Sequence, residues 1–173
     1  MTGQINVNKI AARSGNTITV NSGDKISGAA GSIVVPGQVI QIVTNTLSTS
    51  TATTSTTFVD TGLAATITPT SSSSKIFVFA ACNLWNNTAG GVSSITLYRD
   101  GSRISESATY GWAYGYGAGS NHVTHHSPTY LDSPNTTSAT EYKVYFGVIS
   151  LGGTLRLSVN STPSMLTLME IAQ

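Results

Sequence analysis

The chain has 173 residues, a formal net charge of +1 and only 9% charged side chains, enough for one ordinary domain plus a short extension. The basic residues Lys9, Arg13, Lys25, Lys75, Arg99, Arg103, Lys143 and Arg156 are scattered, which argues against nucleic acid as a partner. Ser and Thr supply 50 residues, and such a neutral, hydroxyl-rich surface suits an exterior protein. No run approaches the roughly 18 apolar residues of a membrane span, so no membrane insertion is expected. Met1 to Ile10 lacks the apolar stretch of a secretory signal. Cys82 is the only cysteine, so no internal disulfide can form, and at the end of an apolar strand it reads as a buried, inert thiol.

Residues 1–37 place Ile5, Val7, Ile10, Ile18, Val20, Ile26 and Ile33 to Val35 among Asn, Ser, Gly and Thr. Ile18-Thr19-Val20 followed by Asn21-Ser22-Gly23-Asp24 reads as a short strand and turn, and Ser27 to Ser32 as a breaker cluster. The segment has too few apolar residues for its own core. It is either a disordered tail or a β segment that wraps with copies of itself, and its alternating β-branched residues favour the second. Pro36-Gly37 marks the boundary with a main domain over 38–173.

Val39 to Val43 opens that domain as a strand. Thr44 to Thr57 has the composition of a loop, though its Thr content also allows an exposed extended strand. In Phe58 to Pro69 one phase carries Val59, Leu63 and Ile67, with Gly62 as a candidate bulge and Pro69 as the stop. After the Ser-rich turn at 70–74, Ile76 to Cys82 is apolar on both faces and suits a strand in a sandwich core. Ser94 to Arg99, the Asp100-Gly101 hairpin turn and Ser102 to Ile104 follow. Tyr142 to Val148, Leu155 to Val159 and Met165 to Ile171 complete eight or nine strands with no helical period. The pattern predicts an all-β fold, a β-sandwich or jelly-roll-like head preceded by the short extended N-terminal segment.

Thr109 to Gly119 places Tyr110, Trp112, Tyr114 and Tyr116 at alternate positions, with Gly111, Ala113, Gly115 and Gly117 between them. On an extended strand all four rings would share one face. Three readings stand: a receptor surface that stacks on sugar rings, a stripe buried in the core or against a neighbouring subunit, and a mobile loop. His122, His125 and His126 cluster nearby, with His122 and His126 on one strand face and His125 on the other. Three copies around an axis could hold a metal, but surface or hydrogen-bonded histidines are the simpler reading, and no cofactor is expected. The carboxylates are Asp24, Asp60, Asp100, Glu106, Asp132, Glu141 and Glu170. No catalytic motif accompanies them; Asp100 is explained by its turn and Glu170 by the chain end. The sequons at Asn86, Asn135 and Asn160 are expected by chance in a chain so rich in Ser and Thr.

Thr56 to Ala81, TTFVDTGLAATITPTSSSSKIFVFAA, resembles a segment of small virion and tail-fibre proteins of tailed bacteriophages. Leu166 to Ala172 is similar to the last strand of the same proteins, and with Pro36 to Gln41 the resemblance spans roughly residues 36–173. It implies a non-enzymatic virion structural protein, made in the bacterial cytoplasm and carried on the particle exterior. It implies a homotrimer that contacts other virion proteins of the tail or capsid, as a tail fibre or a capsid fibre or decoration protein, with a host cell-surface glycan as a further partner. Residues 1–37 would then serve attachment and trimerisation. A free carbohydrate-binding module and a glycan depolymerase acting through Glu106 or Glu141 are the alternatives.

Overall fold

The computed structural model describes residues 22–23, 26–27, 33–105, 109–150 and 152–173. The chain divides into 1–33 and 34–173. In the first unit the described residues Ser22, Gly23, Ile26, Ser27 and Ile33 are exposed. The expected strand at 18–20 lies outside the described residues, as does Glu106.

The second unit consists of two antiparallel sheets. Its strands are β1 (Val39–Leu47), β2 (Thr51–Thr53), β3 (Val59–Ile67), β4 (Lys75–Asn86), β5 (Val92–Arg99), β6 (Ser102–Arg103), β7 (Ala113–Tyr116), β8 (His122–His126), β9 (Thr129–Asp132), β10 (Thr140–Ser150), β11 (Leu155–Leu157) and β12 (Ser164–Ile171). The larger sheet runs β1-β12-β4, with β11 and β2 continuing beside the second half of β4. On its far side β4 pairs with β9 and then β8. The smaller sheet runs β3-β10-β5, with β6 and β7 both pairing β5. The pairs are nested: β1 with β12, β3 with β10, β4 with β8 and β9, β5 with β7. A long antiparallel ribbon rolled into two facing sheets gives this nesting, and it defines a jelly roll.

Sequence patterning accounts for the core. β4 alternates strictly: Ile76, Val78, Ala80, Cys82 and Leu84 are buried, and Phe77, Phe79, Ala81 and Trp85 are half-buried. The apolar residues on both phases therefore serve two faces, and only one of them is core. Leu63, Ala65 and Ile67 of β3, Ile95 and Leu97 of β5, Tyr142, Val144, Phe146 and Val148 of β10, and Leu166 and Leu168 of β12 fill the space between the sheets. Gly62 has φ +83 and sits where the β3–β10 register shifts, so it is the expected bulge. At Asp100-Gly101 both residues have positive φ, which a two-residue hairpin turn requires. The Thr-rich stretch 44–57 is partly strand: β1 continues through Leu47 and β2 adds three residues. Val159, expected on the face of Leu155 and Leu157, lies instead in a 3-10 turn where Ser158 and Asn160 are left-handed.

Candidate functional site

The aromatic stretch sits at the edge of the smaller sheet. β7 pairs with β5 so that Tyr114 lies opposite Ser94, and Tyr116 opposite Val92. Both rings point away from the core and are 58% and 63% exposed. Tyr110 joins them through space, its ring centroid 4.8 Å from that of Tyr114. The Ser94 hydroxyl donates to the Tyr110 carbonyl, with the Ala113 carbonyl in reach at 3.2 Å as a second acceptor for the same proton, which fixes the approach to the strand.

Trp112 departs from the expected stripe. Gly111 adopts φ +68 and the chain bends at Trp112, so strand alternation starts only at Ala113. The indole packs against the core, and its Nε1 donates to the Thr129 carbonyl of β9 at 3.1 Å. Trp112 thus links the two sheets, and the exposed group is Tyr110, Tyr114 and Tyr116.

Gly115 and Gly117 have a packing reason. A Cβ on Gly115 would stand 2.9 Å from Thr124 Cγ2 and 3.0 Å from His126 Cε1, and one on Gly117 would strike the His122 ring. The glycines let β7 lie against the inward face of β8. The histidines keep the expected parity: His122 and His126 point inward and His125 is exposed. His122 Nδ1 meets the Gly119 carbonyl at 2.9 Å, and His125 Nδ1 bonds Asn83 Oδ1. Burial, and then the neighbouring His125, push the His126 pKa down. The Nε2 atoms of His122 and His126 are buried without a partner. No cluster of three metal-ligating residues occurs among the described residues.

Beside the tyrosines the outer face of the smaller sheet is polar. Tyr98 of β5 and Tyr145 of β10 stack with centroids 3.9 Å apart, a pair the sequence reading missed because its members are 47 positions apart. Lys143 Nζ reaches Asp60 at 3.2 Å and Glu141 at 3.5 Å. The Asp60 hydrogen bond and charge raise the Lys143 pKa. A cleft of about 420 Å³ is lined by Thr56, Thr57, Phe58, Tyr98, Arg103, Thr109 and Ile149. Thr109 immediately precedes Tyr110, so the cleft borders the ring pair. Exposed ring faces with phenolic hydroxyls beside a cleft of mixed polar and apolar lining can stack on, and hydrogen-bond to, a sugar.

A second group ties together the three stretches singled out by resemblance. Glu170 of β12 is fully buried. Its Oε1 accepts from the Thr70 backbone N–H at 2.7 Å and from the Thr70 hydroxyl at 2.8 Å, and its Oε2 accepts from Gln41 Nε2 at 2.6 Å. Gln41 Nε2 also donates to the Thr68 carbonyl at 2.7 Å. Burial alone would raise the Glu170 pKa, but side-chain donors led by Gln41 outweigh it and hold the carboxyl below its ordinary value. Glu170 is thus a structural acceptor, more than a residue explained by the chain end.

No family model matches the sequence, and no curated protein matches it. Among solved structures the chain is similar to that of the T=1 particles derived from infectious bursal virus, at 11% identity and a TM-score of 0.42 over 87% of this chain and 41% of that one. It is also similar to that of the infectious bursal disease virus Gx strain, at 10% identity and a TM-score of 0.38 over 87% and 41%. The chain spans about two-fifths of the length of those viral chains.

Proposed function

We propose that this chain is a non-enzymatic structural protein of a tailed-bacteriophage virion, a homotrimeric fibre or decoration protein on the particle exterior. The observation that carries the reading is the knot at Glu170. The three stretches that resemble phage virion proteins, around residues 36–41, 56–81 and 166–172, converge there through Gln41, Thr68, Thr70 and Glu170. That convergence supports reading the three stretches as one motif of the fold. Residues 1–37 serve attachment and trimerisation in this reading. The exposed tyrosines Tyr110, Tyr114 and Tyr116 serve a host-surface glycan, with Trp112 as their support from behind.

The test is particle composition. Gradient-banded phage should yield peptides of this chain, and antibody against the head should decorate the outside of the particles by immunogold. A chain found only in the soluble lysate would overturn the assignment. On intact particles, Tyr114→Ala with Tyr116→Ala should lower cell adsorption at least tenfold while leaving the chain incorporated. The free carbohydrate-binding module is favoured by the same tyrosines and differs in being monomeric and absent from particles. A depolymerase would instead release reducing ends from host polysaccharide, and loss of that release in Glu141→Gln would favour it.

A further inference from the structure

The two outer faces of the sandwich differ in character. That of the smaller sheet carries Asp60, Glu141, Lys143 and the tyrosines, a surface suited to water and polar ligands. That of the larger sheet has a different chemistry. Residues opposite one another in neighbouring strands share a face. The registers place Ile42 of β1 beside Met169 of β12, Met169 beside Phe77 of β4, and Phe77 beside Leu131 of β9. An unbroken apolar row therefore crosses four strands on the side away from the core. Phe79 and Met165 lie in the next rows. Ile42 is 60% exposed and Leu131 50%.

We propose that this outer face of the larger sheet, centred on Phe77, is the surface through which the chain packs against a second copy of itself. The inference rests on the reading of the protein as a homo-oligomeric virion component and names the interface. Size supports it. The 12 residues of β4 run about 40 Å at roughly 3.4 Å each, and four strands abreast span close to 20 Å. The face thus measures about 800 Å² in projection, which is about one partner's share of a standard stable interface. Charge also supports it. Among the described residues of this face, Lys75 stands at one end of β4, and Arg156, over the Trp85 ring, near the other. Asp132 and Glu170 of its strands point to the opposite side. The centre is neutral, so a second copy meets it without like-charge repulsion. The row beside it, Thr44, Thr167, Phe79 and Thr129, is hydroxyl-bearing but uncharged, so a charged partner would find no counter-charge at the centre. An apolar row across the middle of such a face, on a chain with so few charges, is otherwise a liability to association.

The experiment is native mass by light scattering on the full-length chain, beside Ile42→Lys with Leu131→Lys and, as a control, Thr66→Lys on the exposed outer side of β3. The expected result is an oligomer for the unchanged chain and the control, and for the double variant dissociation to the 17.9 kDa single chain at concentrations where the other two stay associated, because residues 1–37 carry too few apolar residues to hold the copies together alone. An oligomer in all three overturns this interface while leaving the virion reading standing. A monomeric unchanged chain overturns both this interface and the homotrimer. Should the double variant fail to fold, Leu131→Cys decides. Cys82 is buried, so the new thiol alone should react with a maleimide. Protection at high concentration and reaction on dilution support the interface; equal reaction at both overturns it.

Discussion

Glu170 shows how much one side chain can hold. It is the last acid in the chain and carries three hydrogen bonds from two distant stretches. Glu170→Ala leaves the Thr70 N–H without its acceptor and the Gln41 amide with the Thr68 carbonyl alone, and hydrogen bonds to a charged group contribute roughly 1.5–3 kcal/mol each. A net loss of about 3 kcal/mol is expected, or roughly 6–12 °C in Tm for a domain of this size. The pH dependence has a definite sign. The folded pKa of Glu170 is depressed, so its contribution is complete above the ordinary carboxylate value and is lost as pH falls through the lower folded value. Thermal unfolding of the unchanged protein should therefore show a steep loss of Tm below about pH 4.5, shallower in Glu170→Gln. Equal slopes in the two would remove the carboxylate from the account.

β7 owes its position to residues that are absent as side chains. Gly115→Val must push on Thr124 and His126, and Gly117→Ala on the ring of His122. Overpacking of this kind costs about 1–3 kcal/mol. Gly119→Ala has open space and should change nothing. Denaturant midpoints of the three variants check the ranking; a stable Gly115→Val would mean that β7 does not lie on β8. The sequence offered close backbone approach as one reading of these glycines but did not name what approaches them. Local pattern was informative where it repeated, as in the shared phase of Val59, Leu63 and Ile67 in β3, and where turn chemistry was strong, as at Asp100-Gly101. It failed at Trp112, where one positive φ at Gly111 broke the alternation before it began. It also failed at β9, four residues between Pro128 and Pro134 that are strand because Phe77 and Phe79 give them a partner. Pairing of this kind is non-local, so no window of sequence contains it. The tyrosine surface was legible as unusual chemistry, but its membership was set by the bend.

The sandwich holds as one body because polar as well as apolar contacts cross between its sheets. Asp132 of β9 faces inward from the larger sheet and accepts from Arg99 of β5 at 2.7 and 2.8 Å and from the Tyr142 hydroxyl of β10 at 2.6 Å. Burial and the Asp132 bond push the Tyr142 pKa far up, so its hydroxyl stays protonated and remains a donor. Removing the carboxylate leaves a guanidinium at the core edge and a buried phenol without an acceptor, a loss of about 3–5 kcal/mol. The reporter for it lies elsewhere in the same core. Cys82 is buried in β4, and burial raises its pKa to about 12. A disulfide reagent should therefore wait for the sandwich to open before it reacts. If the two sheets open together, Asp132→Ala should accelerate labelling of Cys82 by at least a hundredfold at fixed denaturant, in step with the loss of the β-sheet circular dichroism signal. Labelling that outruns the spectral change would mean that β4 leaves the core while the smaller sheet survives, and that the clamp at Asp132 does not make the two sheets one cooperative unit.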